Sequence, residues 1–210
     1  MKVIVFGSTG TIGRQLIAQA LEQGHEVSAF CRDTAKLEDM KHLQLTPVEG
    51  DVFNISDVQA AIEGQDVVCV SLGSGKARKG TVRSQGTQHI IEAMKLHGVK
   101  RLICQTTLGN GDSRGNLNFF WKYIMFGWFL KEVYLDHELQ EKYVMESGLD
   151  WTIVRPAAFT DGERTGTYQH GFGATAPNLS LKISRADVAD FILKQLGTDR
   201  YMHQTPGLSY

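Results

Sequence analysis

The chain has 210 residues, of which 42% are hydrophobic, enough for one sizeable core and most simply one domain over residues 1–210. Its 22 Lys and Arg against 23 Asp and Glu leave a formal charge of -1, so no global field argues for nucleic acid or an anionic membrane. The three cysteines, Cys31, Cys69 and Cys104, sit in or after apolar runs and read as reduced, buried thiols of a cytoplasmic protein. Disulfide, zinc and secretory-leader readings all fit poorly, the last because the first apolar run is short and ends in glycines.

That first run, Val3 to Phe6, suits a strand buried on both faces of a parallel sheet. It enters Gly7, Gly10 and Gly13 at GxxGxxG spacing, followed by an amphipathic helix carrying Ile12, Leu16, Ile17, Ala20 and Leu21. Glycines at this place turn the chain tightly, admit a pyrophosphate to the backbone and let the helix pack on the strand. The helix start offers free N–H groups and a positive dipole end, so Gly7, Ser8, Thr9, Gly10, Thr11 and Ile12 are the expected phosphate-binding turn.

The helix ends near Gly24, and strand two covers Glu26 to Cys31. The end of this strand meets the adenosine ribose: an acid there suits NAD, a base the 2′-phosphate of NADP. Arg32, with Lys36 one turn on, favours NADPH over NADH, although Asp33 stands beside it. Leu43 to Val48 reads as strand three, interrupted late by Pro47, and delivers Asp51 and Val52 to the adenine, or Asp51 to a turn. Ser56 to Glu63 is a short helix with Ser56 as expected N-cap. Strand four, Asp66 to Ser71, ends at Leu72 and Gly73, where the backbone can pass close to the ribose and pyrophosphate. Lys76, Arg78, Lys79 and Arg83 form a basic loop, either steering an anion or simply solvated.

Val82 to His97 is helical and ends at Gly98. Strand five, Arg101 to Cys104, delivers Thr106 and Thr107 to the nicotinamide side, since ligands bind beyond the carboxyl ends of such strands. The stretch Phe119 to Leu130 is the most aromatic in the chain and too short to cross a bilayer, which takes about 20 apolar residues. It is core, a wall over the substrate, or a dimer or membrane-surface patch; in the second case Phe119 and Trp121 line the pocket. The helix Lys131 to Ser147 lacks the YxxxK pair with which many dehydrogenases donate a proton. Lys142 remains for a ribose hydroxyl, and His137 is either a replacement acid or a partly exposed helix residue. Strand six, Asp150 to Arg155, ends at Pro156, which turns Ala157 toward the pocket. Ser180 to Ser184 is a late strand, Ser184 and Asp187 have capping-box spacing for a helix to Leu196, and Tyr201 to Tyr210 is an edge strand or packed tail.

FGSTGTIG, CRD, GDV, SLG, EAMKLHGV, SGLDWTIVRP, ERTGTY and ISRADVADFIL, spread over the whole chain, resemble the atypical short-chain dehydrogenase/reductases. The branch is the one that includes NmrA-like proteins and flavin reductases of the biliverdin reductase B type. The resemblance implies a Rossmann-type α/β fold and NADP contacts from Gly7, Thr9, Gly10, Ile12, Arg32, Asp51, Val52, Leu72 and Gly73. The family's nicotinamide-side serine falls on Thr107, and its pocket histidine on Ala157. That loss tells against tetrapyrrole reduction. The expected protein is a doubly wound, mostly parallel α/β domain of six or seven strands, monomeric or homodimeric, reducing a flat conjugated acceptor with NADPH. Flavin leads, ahead of a quinone or tetrapyrrole; Thr107 and Lys142 are the catalytic candidates, and Tyr168 joins the pocket walls. The alternatives are a non-catalytic NADP(H) sensor of the NmrA-like type and an epimerase- or dehydratase-like enzyme.

Overall fold

The computed structural model describes residues 1–75 and 80–210, so Lys76, Arg78 and Lys79 of the expected basic loop lie outside the described residues. Strand β1 (Lys2–Phe6) alternates Val3 and Val5 on one face with Ile4 and Phe6 on the other, all buried. One face packs under α1 (Thr11–Glu22) and α5 (Arg185–Lys194), the other under α2 (Ile55–Ile62), α3 (Val82–His97) and α4 (Lys131–Met145). Because both faces are covered, β1, β4 (Val67–Val70) and β5 (Arg101–Gln105) need no polar alternation, which is why they read as apolar runs.

With β2 (Glu26–Cys31), β3 (Leu45–Glu49), β6 (Asp150–Pro156), β8 (Gln169–His170) and β10 (Gly207–Ser209), the main sheet has eight strands in the order 3-2-1-4-5-6-10-8. Pairing is parallel from β3 to β10, and β8 closes the edge antiparallel. β7 (Ala158–Thr160) and β9 (Lys182–Ser184) form a separate parallel pair. Pro47 does not end β3, because β3 is the sheet edge and a missing donor is tolerated there. The strand order reverses between β1 and β4, so the crevice beyond their carboxyl ends is where a doubly wound sheet takes its ligand.

Three local expectations change. Asn54, not Ser56, caps α2: its side chain accepts the Ser56 N–H at 3.1 Å. The C-terminal stretch is not an edge strand, since β10 inserts between β6 and β8 and brings the sheet to eight strands. The aromatic stretch is not core: Phe120–Phe129 forms an i→i+5 helix with no fully buried residue. Ser184 does cap α5, its hydroxyl accepting the Asp187 N–H at 3.0 Å. Cys31, Cys69 and Cys104 are buried and free, and burial pushes the Cys69 thiol up to about 12 and raises that of Cys104.

Candidate functional site

At the end of β1, Gly7 adopts φ +86°, and a Cβ there would lie 2.2 Å from the Ser71 carbonyl oxygen at the end of β4. Gly13 is equally constrained: its Cβ would sit 2.2 Å from the Gly7 carbonyl oxygen. The first turn of α1 has no side-chain cap and no acidic residue, so its amides and dipole face the crevice uncompensated. Gly7, Thr9, Gly10, Thr11 and Ile12 line a cleft of about 880 Å³. Arg185, at the start of α5, lines it too; its Nε donates to the Thr11 hydroxyl at 3.0 Å and its guanidinium pairs with Asp161 at 2.6 Å. Ser8 is different. It is fully buried and donates to the Phe30 carbonyl at 2.7 Å, tying the turn to β2 instead of facing the cleft.

At one end the cleft runs past Phe30, Arg32, Gly50, Asp51, Val52 and Phe53. Arg32 is exposed and, among the described residues, makes no ion pair. Lys36 does not line the cleft; its ammonium lies 3.6 Å from Asp33 and its carbonyl accepts from Arg14 at 2.8 Å. The Asp33 carboxylate in turn accepts the Ala35 N–H at 3.2 Å, capping the 3-10 turn Thr34–Met40. Asp51 caps its turn, its carboxylate accepting the Phe53 N–H at 3.0 Å, and lines the cleft. Leu72 and Gly73 line the middle, and the space where a Gly73 Cβ would stand is open.

The other end is apolar. Leu117, Trp121, Phe126, Leu130 and Val133 form its wall, with Gln105, Thr106, Thr107, Pro156 and Ala157 at the strand ends and His137 on α4. Positions five apart stack on one face of the i→i+5 helix, and Trp121 and Phe126 meet at 5.8 Å between ring centres. The Thr106 hydroxyl turns inward and donates to Glu141 at 2.6 Å, leaving Thr107, half-buried, as the cleft-side hydroxyl. Three expected site residues stand elsewhere. Lys142 is exposed on the solvent side of α4, because the buried face is Tyr134, His137, Glu141 and Val144. Phe119 is 71% exposed and stacks on Tyr123. Tyr168 packs on α5, donating to Asp190 at 2.6 Å beneath Lys194.

Behind the wall lies a buried charge cluster that the sequence reading missed. Glu141 takes two bonds from Arg155, at 3.0 and 2.6 Å, and Asp112 takes a third at 2.5 Å. Burial alone would lower the Arg155 guanidinium, but the two carboxylates hold it above its ordinary value. Asp136 is also buried and caps α3 from another helix, accepting the Arg83 and Ser84 N–H groups at 3.1 and 3.0 Å.

His137 is buried, not partly exposed, and its surroundings disfavour the protonated ring. Burial, reinforced by the Arg83 charge, pushes its imidazole down to about 3. Gln140 donates to Thr87 at 3.0 Å, so its carbonyl oxygen faces His137 Nδ1, also at 3.0 Å. This assigns the proton to Nδ1 and leaves Nε2 an acceptor. The fold stabilises the neutral ring, so this contribution is complete above pH 6.5 and is lost as the pH falls from 6.5 toward 3. Unfolding free energies from urea titrations should therefore fall, as the pH is lowered across that window, by up to about 1.4 kcal/mol per pH unit more in the wild type than in His137→Asn. Parallel pH curves for the two proteins would contradict the assignment.

A mostly parallel doubly wound sheet with an uncapped glycine turn at its switch point and a cleft running along the strand ends has the build of a dinucleotide-binding protein. A family model described as NAD(P)H-binding matches residues 7–199. The chain belongs to that family, among the atypical short-chain dehydrogenase/reductases of the NmrA-like group. A Saccharomyces cerevisiae protein, UPF0659 protein YMR090W, is 30% identical over 93% of this chain and 87% of its own length. The photosystem II assembly factor Ycf39 of Synechocystis is 27% identical over 98% of this chain, which spans 61% of that protein. Among solved structures, the anaerobilin reductase ChuY of Escherichia coli O157:H7 superposes with a TM-score of 0.81 at 25% identity, covering 100% of this chain and 97% of that one. A Veillonella parvula short-chain dehydrogenase/reductase in complex with NADP gives 0.84 at 18% identity, covering 100% of this chain and 94% of that one, a likeness of fold.

Proposed function

We propose that the chain is an NADPH-dependent reductase passing hydride to a flat conjugated acceptor, free flavin before a quinone or a tetrapyrrole. The observation that carries this reading is the chemistry of the apolar end. Its walls are aromatic and aliphatic, its polar groups are Gln105, Thr106, Thr107 and a His137 whose neutral form burial favours, and Arg83, paired with the buried Asp136, also lines the cleft. Among the described residues the only carboxylate lining the cleft is Asp51, at the opposite end. An epimerase or dehydratase needs an acid and a base at the substrate, which this end does not hold. A flavin accepts hydride at N5 and takes its proton from solvent, so it needs none.

Bound NADPH would supply the hydride. The α1 turn and Arg185 would hold its pyrophosphate, Asp51 and Val52 its adenine, and Thr107 its nicotinamide. Trp121, Phe126 and Leu130 would press an aromatic acceptor flat and exclude water, lowering the barrier by orientation. His137 Nε2 would take a hydrogen bond from an acceptor N–H or O–H.

Steady-state NADPH oxidation with FMN, a quinone and a linear tetrapyrrole tests the reading. Turnover that saturates in FMN supports it; tight NADPH binding without turnover on any acceptor would favour the NADP(H)-sensor reading instead. The cofactor preference rests on Arg32. Arg32→Ala should weaken NADPH about ten- to a hundredfold, the worth of a hydrogen-bonded charge pair, and leave NADH unchanged in a fluorescence titration. Equal losses for both cofactors would remove Arg32 from the 2′-phosphate.

A further inference from the structure

The i→i+5 helix Phe120–Phe129 has two apolar faces. Trp121 and Phe126 look into the cleft, while the opposite face has no partner in the fold. There Trp128 is 77% and Phe129 62% exposed, beside Phe119, Phe120 and Tyr123, all exposed. Soluble proteins rarely leave so many contiguous aromatic side chains in water without a use for them. Arg114, Lys122 and Lys131 lie along the same stretch, which Asp112 and Glu132 flank; Arg114 sits over the Tyr134 ring, and none of the three makes an ion pair among the described residues.

We infer that this face docks on an anionic lipid surface. Tryptophan, tyrosine and phenylalanine partition to the depth of the headgroups, and flanking lysines meet the negative surface potential there. Among the described residues no helix is long and apolar enough to cross a membrane, so the contact is interfacial. The net charge of -1 does not oppose the docking, because the attraction is local and acts within a Debye length of the surface. The same helix walls the cleft, so docking would place the apolar end of the site against the headgroups.

The test is flotation of the full chain with phosphatidylcholine vesicles, with and without phosphatidylglycerol, alongside the tryptophan emission of the wild type. Expected are binding to the anionic vesicles, weakening with salt, a blue shift of the emission, and a roughly tenfold or greater loss of partition in the Trp128→Ser/Phe129→Ser double variant. Neither residue lines the cleft, so NADPH titration of the variant checks that it is folded. Absence of vesicle binding by the wild type, or equal binding by wild type and folded variant, overturns the inference. A wild-type dimer by light scattering that the double variant dissolves, with no lipid binding, overturns it in favour of a second copy.

Discussion

Glu141→Ala should lower the stability of the protein by roughly 3–5 kcal/mol, the cost of stranding one member of a buried ion pair. Arg155 is among the largest fully buried side chains, and two of its three carboxylate bonds go to Glu141. Its other partner, Asp112, has a side chain 76% exposed and cannot replace what Glu141 provides inside. The same substitution leaves the Thr106 hydroxyl without its acceptor, next to the cleft-side Thr107. In a chain of this size the loss corresponds to a fall in Tm on the order of 6–20 °C. Glu141→Ala/Arg155→Met, which removes both charges and fills the space with apolar atoms, should recover much of it, as buried pairs often add little net stability. Urea unfolding of the three proteins decides the matter. A loss below about 1 kcal/mol for Glu141→Ala would mean that the cluster is solvated and not structural.

Gly13→Val should remove dinucleotide binding while leaving most of the fold intact. The new Cβ would lie 2.2 Å from the Gly7 carbonyl oxygen, which is backbone and cannot swing aside, so α1 must lift from the turn. Overpacking of this kind costs about 1–3 kcal/mol, which a domain of this size can survive. On the proposed reading the functional cost is larger, because the first-turn amides of α1 would be the phosphate donors and lifting the helix takes them out of hydrogen-bond reach. A fluorescence titration with NADPH and a far-UV spectrum test both halves. Unchanged affinity in a folded variant would place the cofactor away from this turn.

How far the chain could be read differs from one element to the next. β1, the glycine turn, α1, β2, α3 and the Ser184 cap follow from short-range rules: apolar runs, glycine at a positive φ, and side chains that satisfy the first amides of a helix. Arg32, Asp51, Leu72 and Gly73 are adjacent to these elements, so their place on the cleft follows from the same rules. α4 misleads because its pattern is inverted. Leu135 and Leu139 are exposed, while Asp136, His137, Gln140 and Glu141 are buried. Apolar periodicity would turn that helix the other way, and what overrides it is a set of long-range partners, Arg155, Thr106, Thr87 and the start of α3.

From its sequence alone this protein is a doubly wound NAD(P)H-binding domain, because strand, turn and helix signals are local and the cofactor reads backbone and one strand end. Only the tertiary structure decides the apolar end of the cleft. It sets Trp121 and Phe126 in the wall while leaving Phe119 in solvent, removes Lys142 and Tyr168 from the site, and makes His137 a neutral acceptor. Each of those outcomes depends on burial and on hydrogen bonds between residues distant in the chain, which no spacing along it records.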